Sequence, residues 1–304
     1  MLIKNNIRLH KIVSGTWKYL VYSLLTCSVA YFINDLWLKD IFIYPSFIPT
    51  ILGTALAFFI GFNNNQAYDR WWEARKIWGS LVNNSRTWTR QLLYFVHPAE
   101  SIANSQFEEK RLRLIKRHIA FLYALKENLR TENKKEYESY LSQNEIEEIN
   151  RHSNKHNAIL SFQAKDLDEL YQVNSIDGFK FMELNKMIVT FCDDMGKSER
   201  IKNTVFPTTY NYYSKAFIWI FIYSVTMTIG NAIGIWSIIF GTLVGYIFFT
   251  IQSIGQTLLN PFQDIRTGIP LSQITRTIEI NLLEMLDEEN IPEPIMSVDD
   301  EYIM

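Results

Sequence analysis

The chain has 304 residues, of which 48% are hydrophobic, 14% aromatic and 20% charged, with only 12 Gly and 8 Pro. That composition excludes a disordered, collagen-like or low-complexity chain. Thirty Lys and Arg against 32 Asp and Glu give a formal net charge of −2, which offers no electrostatic case for a nucleic-acid partner. Two cysteines, Cys27 and Cys192, are too few for a disulfide scaffold or a cysteine-rich zinc module.

The mean hydropathy of −0.05 looks like that of a soluble protein, but it conceals an uneven distribution of charge. Tyr19 to Asn34 is a charge-free run of 16 residues, Ile41 to Tyr68 one of 28, and Ala216 to Gln263 one of 48. A membrane-spanning helix needs about 20 apolar residues to cross roughly 30 Å of hydrocarbon. The third run is long enough for two spans, with Gly230, Asn231 and Gly234 marking the turn between them. The first is short, but Trp17 and Trp37 flank it as interfacial aromatics do. The pattern predicts four spans, at 18–37, 43–64, 214–232 and 235–256. No small-residue cleavage site follows the first, so it is read as a retained helix and not a signal peptide.

Basic residues flank the spans unevenly. Lys4, Arg8, Lys11 and Lys18 precede the first span and Arg70, Arg75 and Lys76 follow the second, whereas the two short loops hold only Lys39. This predicts a multi-pass protein of the plasma (inner) membrane with both termini and the middle region in the cytoplasm. Four parts follow: 1–70 with two spans, a cytosolic helical region 71–213, the second pair of spans at 214–256, and a cytosolic tail 257–304.

The middle region is polar and helical in pattern. IWGSLVNNSRTWTRQLLYFV and EEKRLRLIKRHIAFLYALKENLR space apolar positions by three and four among charges. Glu132 to Asn157 is nearly all polar and reads as an exposed helix or connector. The tail begins with an amphipathic helix, SQITRTIEINLLEMLDEE, and ends in an acidic, Pro-containing extension.

Familiar catalytic constellations are absent: no Walker loop, GxGxxG, GxSxG or HExxH occurs, so an enzyme is not predicted. His152 and His156 lie four apart but lack an intervening glutamate, and a solvated helix is favoured over a metal site. Asp193 and Asp194 follow the apolar MIVTFC; adjacent helical positions diverge by about 100°, so a surface pair is expected and not a cation site. No cofactor is predicted.

The segment TILGTALAFFIGFNNNQAYDRWWEARKIWGS, residues 50–80, begins as a span and continues into polar helix without a breaker. Thr54, Phe58 and Phe62 form one helical stripe, and its continuation reaches Gln66 and then Asp69 or Arg70. Gly53 and Gly61 offer smooth patches for close helix approach. An apolar stripe that turns polar on one face suits a pore lining in an oligomer, and equally an ordinary packing or lipid-facing surface. Asp69, Arg70, Glu73, Arg75 and Lys76 surround Trp71, Trp72 and Trp78, which reads as a self-neutralising charged face with interfacial tryptophans.

GFNNNQAYDRWWEARKIWG closely resembles the segment that follows the pore-lining helix of bestrophins, whose Arg-Trp-Trp corresponds to Arg70, Trp71 and Trp72. FPTTYNYYSKAFIWIF before the late spans, and Asn260-Pro261-Phe262 after them, extend the resemblance over nearly the whole chain. It implies an all-α homopentameric ion channel, four spans per subunit, with the second span of each copy around one axial pore. The implied narrow neck falls on Thr54, Phe58 and Phe62, the stripe already found. Thr54 departs from the usual aliphatic residue, which makes that ring more polar. A second, cytosolic constriction is implied at Phe179, with Met182 as the alternative. Animal bestrophins carry a calcium-clasping acidic run after Asn-Pro-Phe; here Gln263-Asp264-Ile265-Arg266 lacks the oxygen-rich shell that calcium needs, so calcium gating is not expected.

The expected partners are further copies of the chain, membrane lipid and small monovalent ions. Selectivity stays open, because phenyl edges tolerate anions and phenyl faces tolerate cations. Bacterial character leans slightly to cations, while animal members conduct chloride. A secondary transporter would show an inverted repeat and broken helices, neither of which is seen. A membrane-anchored scaffold or sensor is the remaining alternative.

Overall fold

The computed structural model describes residues 9–38, 41, 44–99, 104–298 and 302. Lys4, Arg8 and Lys39, which carry part of the charge argument above, lie outside them. The described residues form nine α-helices: α1 (Leu9–Ile33), α2 (Phe47–Phe95), α3 (Asn104–Arg130), α4 (Gln143–Ile149), α5 (Lys155–Gln172), α6 (Gly178–Asn203), α7 (Thr208–Ile233), α8 (Trp236–Leu258) and α9 (Leu271–Glu284). An isolated bridge between Val298 and Tyr302 is the one β feature among them. Four helical segments are long and apolar enough to cross a membrane: Ser14–Leu38, where a π-helical turn extends α1, and α2, α7 and α8.

The chain divides into two compact units. The first to be considered spans 4–71 and 205–261 and contains α1, α7, α8 and the membrane half of α2. Its apolar centre joins Cys27, Leu56, Ile60, Ile218, Phe221, Ile222, Val225 and Phe249. In hydrocarbon the apolar effect cannot drive helices together, so close packing and interhelical hydrogen bonds carry the association. Here Thr16 meets Tyr246 at 2.8 Å, Tyr44 meets Ser224 at 2.9 Å, and Asn34 donates to Asn231 at 2.9 Å. Glycines on α8 permit the contact: a Cβ at Gly241 would lie 2.3 Å from Thr226 Oγ1, and one at Gly245 2.6 Å from Ile222 Cδ1. Gly53 is similarly covered, by the Phe221 ring at 2.8 Å, but Gly61 has open space, so only the first of the two predicted smooth patches is used within the chain.

The turn between the last two spans falls within a residue of the predicted boundary: α7 ends at Ile233, and Gly234, one of the three residues expected to mark it, has a φ of +61° that suits glycine. Gly230 and Asn231 remain helical, and the Asn231 side chain accepts from Asn34.

The second unit covers 72–204 with 262–304. α3 is its central helix, buried along most of its length, with α5, α6 and α9 packed around it. Trp88, Phe121 and Phe191 fill the contact between α2, α3 and α6. Arg117 and Lys126 are buried and paired with carboxylates, and half-buried Arg113 shares Asp166. Arg117 donates to Asp166 at 2.7 Å and to Glu145, and Arg113 donates to Asp166 at 2.9 Å. Lys126, fully buried, pairs with Glu136 over the Tyr123 ring. Removing one partner from such a group strands a buried charge at a cost of about 3–5 kcal/mol.

The polar stretch from Glu132 to Asn157 is largely exposed, as its composition predicts, and it is a folded connector. It makes a short 3₁₀ turn (Glu136–Tyr140) and α4, and it buries Tyr137 and Ile149. The Glu127 carboxylate receives the backbone N–H groups of Lys135 and Glu136, and Ser142 with Glu145 forms a capping box at α4. Polar side chains here satisfy backbone ends, which composition alone cannot distinguish from solvation.

Candidate functional site

α2 runs unbroken for 49 residues, about 74 Å at 1.5 Å per residue and more than twice the hydrocarbon thickness. Pro49 sits in its first turn, where a missing N–H costs nothing. No proline or glycine occurs between Gly61 and Gly79 to stop it. Leu56, Ile60, Asn63 and Ala67 recur on its buried face, and Ala74, Trp78 and Leu81 continue that spacing.

The opposite face is open. Gly53, Thr54, Ala57, Phe58, Gly61, Phe62 and Asn65 line a shallow, mostly apolar groove of about 750 Å³. Phe58 is 64% exposed and Phe62 68% exposed, so neither ring is packed within the chain. Thr54 is exposed as well, but its hydroxyl donates to the Thr50 carbonyl at 2.9 Å. That bond spends its proton on the helix backbone and leaves the methyl and the oxygen lone pairs on the surface. All three predicted neck residues therefore share one unpacked face.

The remaining predicted residues are distributed. Trp71 is half-buried and stacks on Tyr68 at 6.2 Å, Arg70 is half-buried, and Trp72 is exposed. Phe179 and Met182 are 85% and 66% exposed on the first turns of α6. Asp177 caps that helix by accepting from the Phe179 and Lys180 N–H groups at 2.9 Å each, which fixes where Phe179 projects. Asn260 is exposed, while Pro261 and Phe262 are buried. Just beyond, the single carboxylate Asp264 pairs with buried Arg130 at 3.2 Å. A guanidinium already occupies it, and among the described residues no group of three or more His, Cys, Asp or Glu is placed to hold a metal ion.

Two sequence-level readings need correcting. His152 is exposed and precedes α5, whereas His156 lies within α5, is buried, and meets Glu199 at 2.7 Å; the two do not share a helix face. Asp194 is buried, unlike Asp193, because α6 turns it inward; burial raises its pKa above the ordinary aspartate value, with Ser80 and Lys197 opposing the shift. Glu73 pairs with Arg200 of α6 at 2.5 Å.

A buried histidine that sequence reading missed has a measurable consequence. His118 is fully buried beside Phe121 and Phe191, and its Nε2 meets Ser85 Oγ at 2.8 Å. The Ser85 proton already goes to the Leu81 carbonyl at 2.6 Å, so Nε2 is the donor and Nδ1 is the bare nitrogen, without a partner. Protonating Nδ1 would bury an N–H with nothing to accept it, and burial lowers the pKa to about 3. The unfolded chain takes up that proton near the ordinary 6.5, so the stabilisation is whole above 6.5 and is lost as pH falls from there to 3. At pH 5 about 2 kcal/mol is lost, at roughly 1.4 kcal/mol per unit. Chemical unfolding at pH 7.5 and pH 5 should show this loss, and His118→Gln should reduce it; an unchanged difference in the variant would refute the assignment.

A long helix with one face packed and a phenyl-bearing face open, inside a four-span helical protein, defines the chain as a polytopic α-helical membrane protein. Comparison then gives the family. The family model described as bacterial/fungal bestrophin protein matches residues 7–284, and the chain belongs to that family. The voltage-dependent anion channel-forming protein YneE of Escherichia coli K12 is 28% identical over 248 residues, which cover 81% of this chain and 79% of that protein. A protein of Nostoc with the same functional name is 27% identical over 241 residues, 79% of this chain and 76% of its own. Among solved structures, a bacterial bestrophin homologue from Klebsiella pneumoniae superposes with a TM-score of 0.82 at 23% identity, covering 90% of this chain and 99% of that one.

Proposed function

We propose that the protein is an ion channel: a homopentamer whose five α2 helices surround one axial pore, with Thr54, Phe58 and Phe62 as its neck. The observation that carries this reading is the groove on α2. Two large aromatic rings one turn apart stand unpacked on a helix whose opposite face carries the buried Leu56, Ile60, Asn63 and Ala67. Five such faces meeting at an axis would bury the phenyl rings against one another around a narrow apolar ring. Such a constriction gates by drying, since ions there lose hydration that the wall does not replace.

The pore passes small monovalent ions, and calcium does not gate it, in keeping with the Asp264–Arg130 pair. Phe179, with Met182 one turn on, is proposed as the constriction of the cytosolic unit. The relatives are named anion channel-forming proteins, a name that does not fix the sign of the ion passed here. The phenyl ring by itself fits either sign. The channel sits in the plasma membrane with both termini in the cytoplasm.

Mass measurement in detergent and conductance in planar bilayers test the reading together. The expected protein mass is five times the 35.8 kDa chain, with passive current in reconstituted bilayers. Protein mass equal to a single chain would remove the axial pore. Transport that saturates and requires a second solute would favour a secondary transporter instead.

A further inference from the structure

Beyond the groove, the open face of α2 continues through Asn65 to Asp69, three and seven residues after Phe62. Seven residues are nearly two full turns and advance a helix by about 10 Å, so Asp69 stands below Phe62 on the same face. Thr50, Thr54, Phe58, Phe62 and Asn65 are uncharged, which leaves Asp69 as the first ionised group on this stripe. The other charged residue of that stretch, Arg70, is turned about 100° away and is half-buried.

Asp69 is exposed and makes no ion pair or hydrogen bond with any described residue. Its acidic neighbour on the helix, Glu73, is held by Arg200. Asp69 has no partner of that kind, so its charge at the end of the apolar stripe faces water and whatever passes in front of it.

We propose that Asp69 is a selectivity residue: in the assembly, five carboxylates ring the conduit about 10 Å beyond Phe62, drawing in monovalent cations and repelling anions. This rests on α2 being the pore wall. The Debye length is about 10 Å at 0.1 M salt, so at that ionic strength the ring's field still reaches the neck, and at 1 M it does not. Aromatic faces at the neck then accept the cation delivered to them. The ring stands on one side of the neck only, so at low salt the current of cations entering from that side exceeds the reverse current.

Reversal potentials across a potassium chloride gradient test the proposal. The wild type is expected to favour potassium, Asp69→Asn to lose selectivity severalfold, and Asp69→Lys to favour chloride. The differences should be larger at about 0.02 M than at about 1 M salt. Should the lysine variant not assemble, Asp69→Cys in a Cys192→Ser background takes its place. A negatively charged thiol reagent should then restore cation preference and a positively charged one should reverse it. Reversal potentials unchanged by Asp69→Asn and by both reagents, with wild-type current intact, overturn the ring and leave the neck standing. A wild type that favours chloride, with Asp69→Asn making no difference, also overturns it. Absence of any wild-type current overturns the ring and the pore together.

Discussion

Phe62→Ala is expected to raise the current by about an order of magnitude, through higher conductance, open probability or both. The phenyl ring is 68% exposed within the subunit, so its loss leaves no cavity in the fold and the variant should assemble normally. What changes is the proposed neck. Five phenyl groups become five methyl groups, the constriction widens, and water no longer leaves it readily. Phe58 then remains as a second aromatic ring one turn away, so the gain should be larger still when both are replaced. Phe62→Trp should act in the opposite direction. Single-channel recording in planar bilayers gives the answer, with thermal unfolding in detergent as the control for folding. Unchanged unitary current in Phe62→Ala and in the double variant would mean that this face of α2 does not line the conduit.

Much of that site is legible in the sequence because it rests on periodicity. Thr54, Phe58 and Phe62 recur every fourth residue in a charge-free helix, and that spacing places them on one face regardless of what surrounds them. The four spans are legible for a related reason, since a run of 20 apolar residues has few other uses. The start of α2 at Phe47, with Pro49 in its first turn, and the Asn34–Asn231 bond were less legible. A partner nearly 200 positions away leaves no local mark.

The sequence is least informative about polar residues that fold inward. Asp194 and His118 carry the same side chains they would on a surface, and only the rotation of α6 and α3 decides that they are buried. Within the Glu132–Asn157 stretch, composition likewise gives no sign that Tyr137, Ile149 and His156 turn inward. Asp69 shows the converse. It looked neutralised by its neighbours, yet Glu73 takes its cation from α6, and Asp69 is left bare.

The glycines of the membrane unit should divide into two groups with different consequences. Gly245→Ala is expected to destabilise the protein by at least the roughly 1–3 kcal/mol of ordinary overpacking. The added methyl would lie 2.6 Å from Ile222 Cδ1 and 2.7 Å from Ser23 Oγ, with Ser23 Cβ at 3.0 Å, so α1 and α7 press on it from two sides. Gly241→Ala should cost at least as much, because its methyl meets Thr226 Oγ1 at 2.3 Å and Cys27 Sγ at 2.9 Å. Thr226 cannot swing aside freely, since its hydroxyl donates to the Ile222 carbonyl at 2.8 Å. Separating these helices also loosens the interhelical hydrogen bonds that hold a bundle in lipid. Gly61→Ala is the contrast. Its methyl meets nothing within 4 Å in the subunit, and alanine is the better helix former by about 1 kcal/mol, so thermal stability should hold or rise. Its conductance should fall, because the methyl enters the groove beside Phe58 and Phe62. Stability lost at Gly241 and Gly245 with current preserved per folded channel, against stability kept and current lost at Gly61, would separate the packed faces of the bundle from its open one. Equal destabilisation at all three would mean that Gly61 is buried against another helix in the assembly and does not border an open conduit.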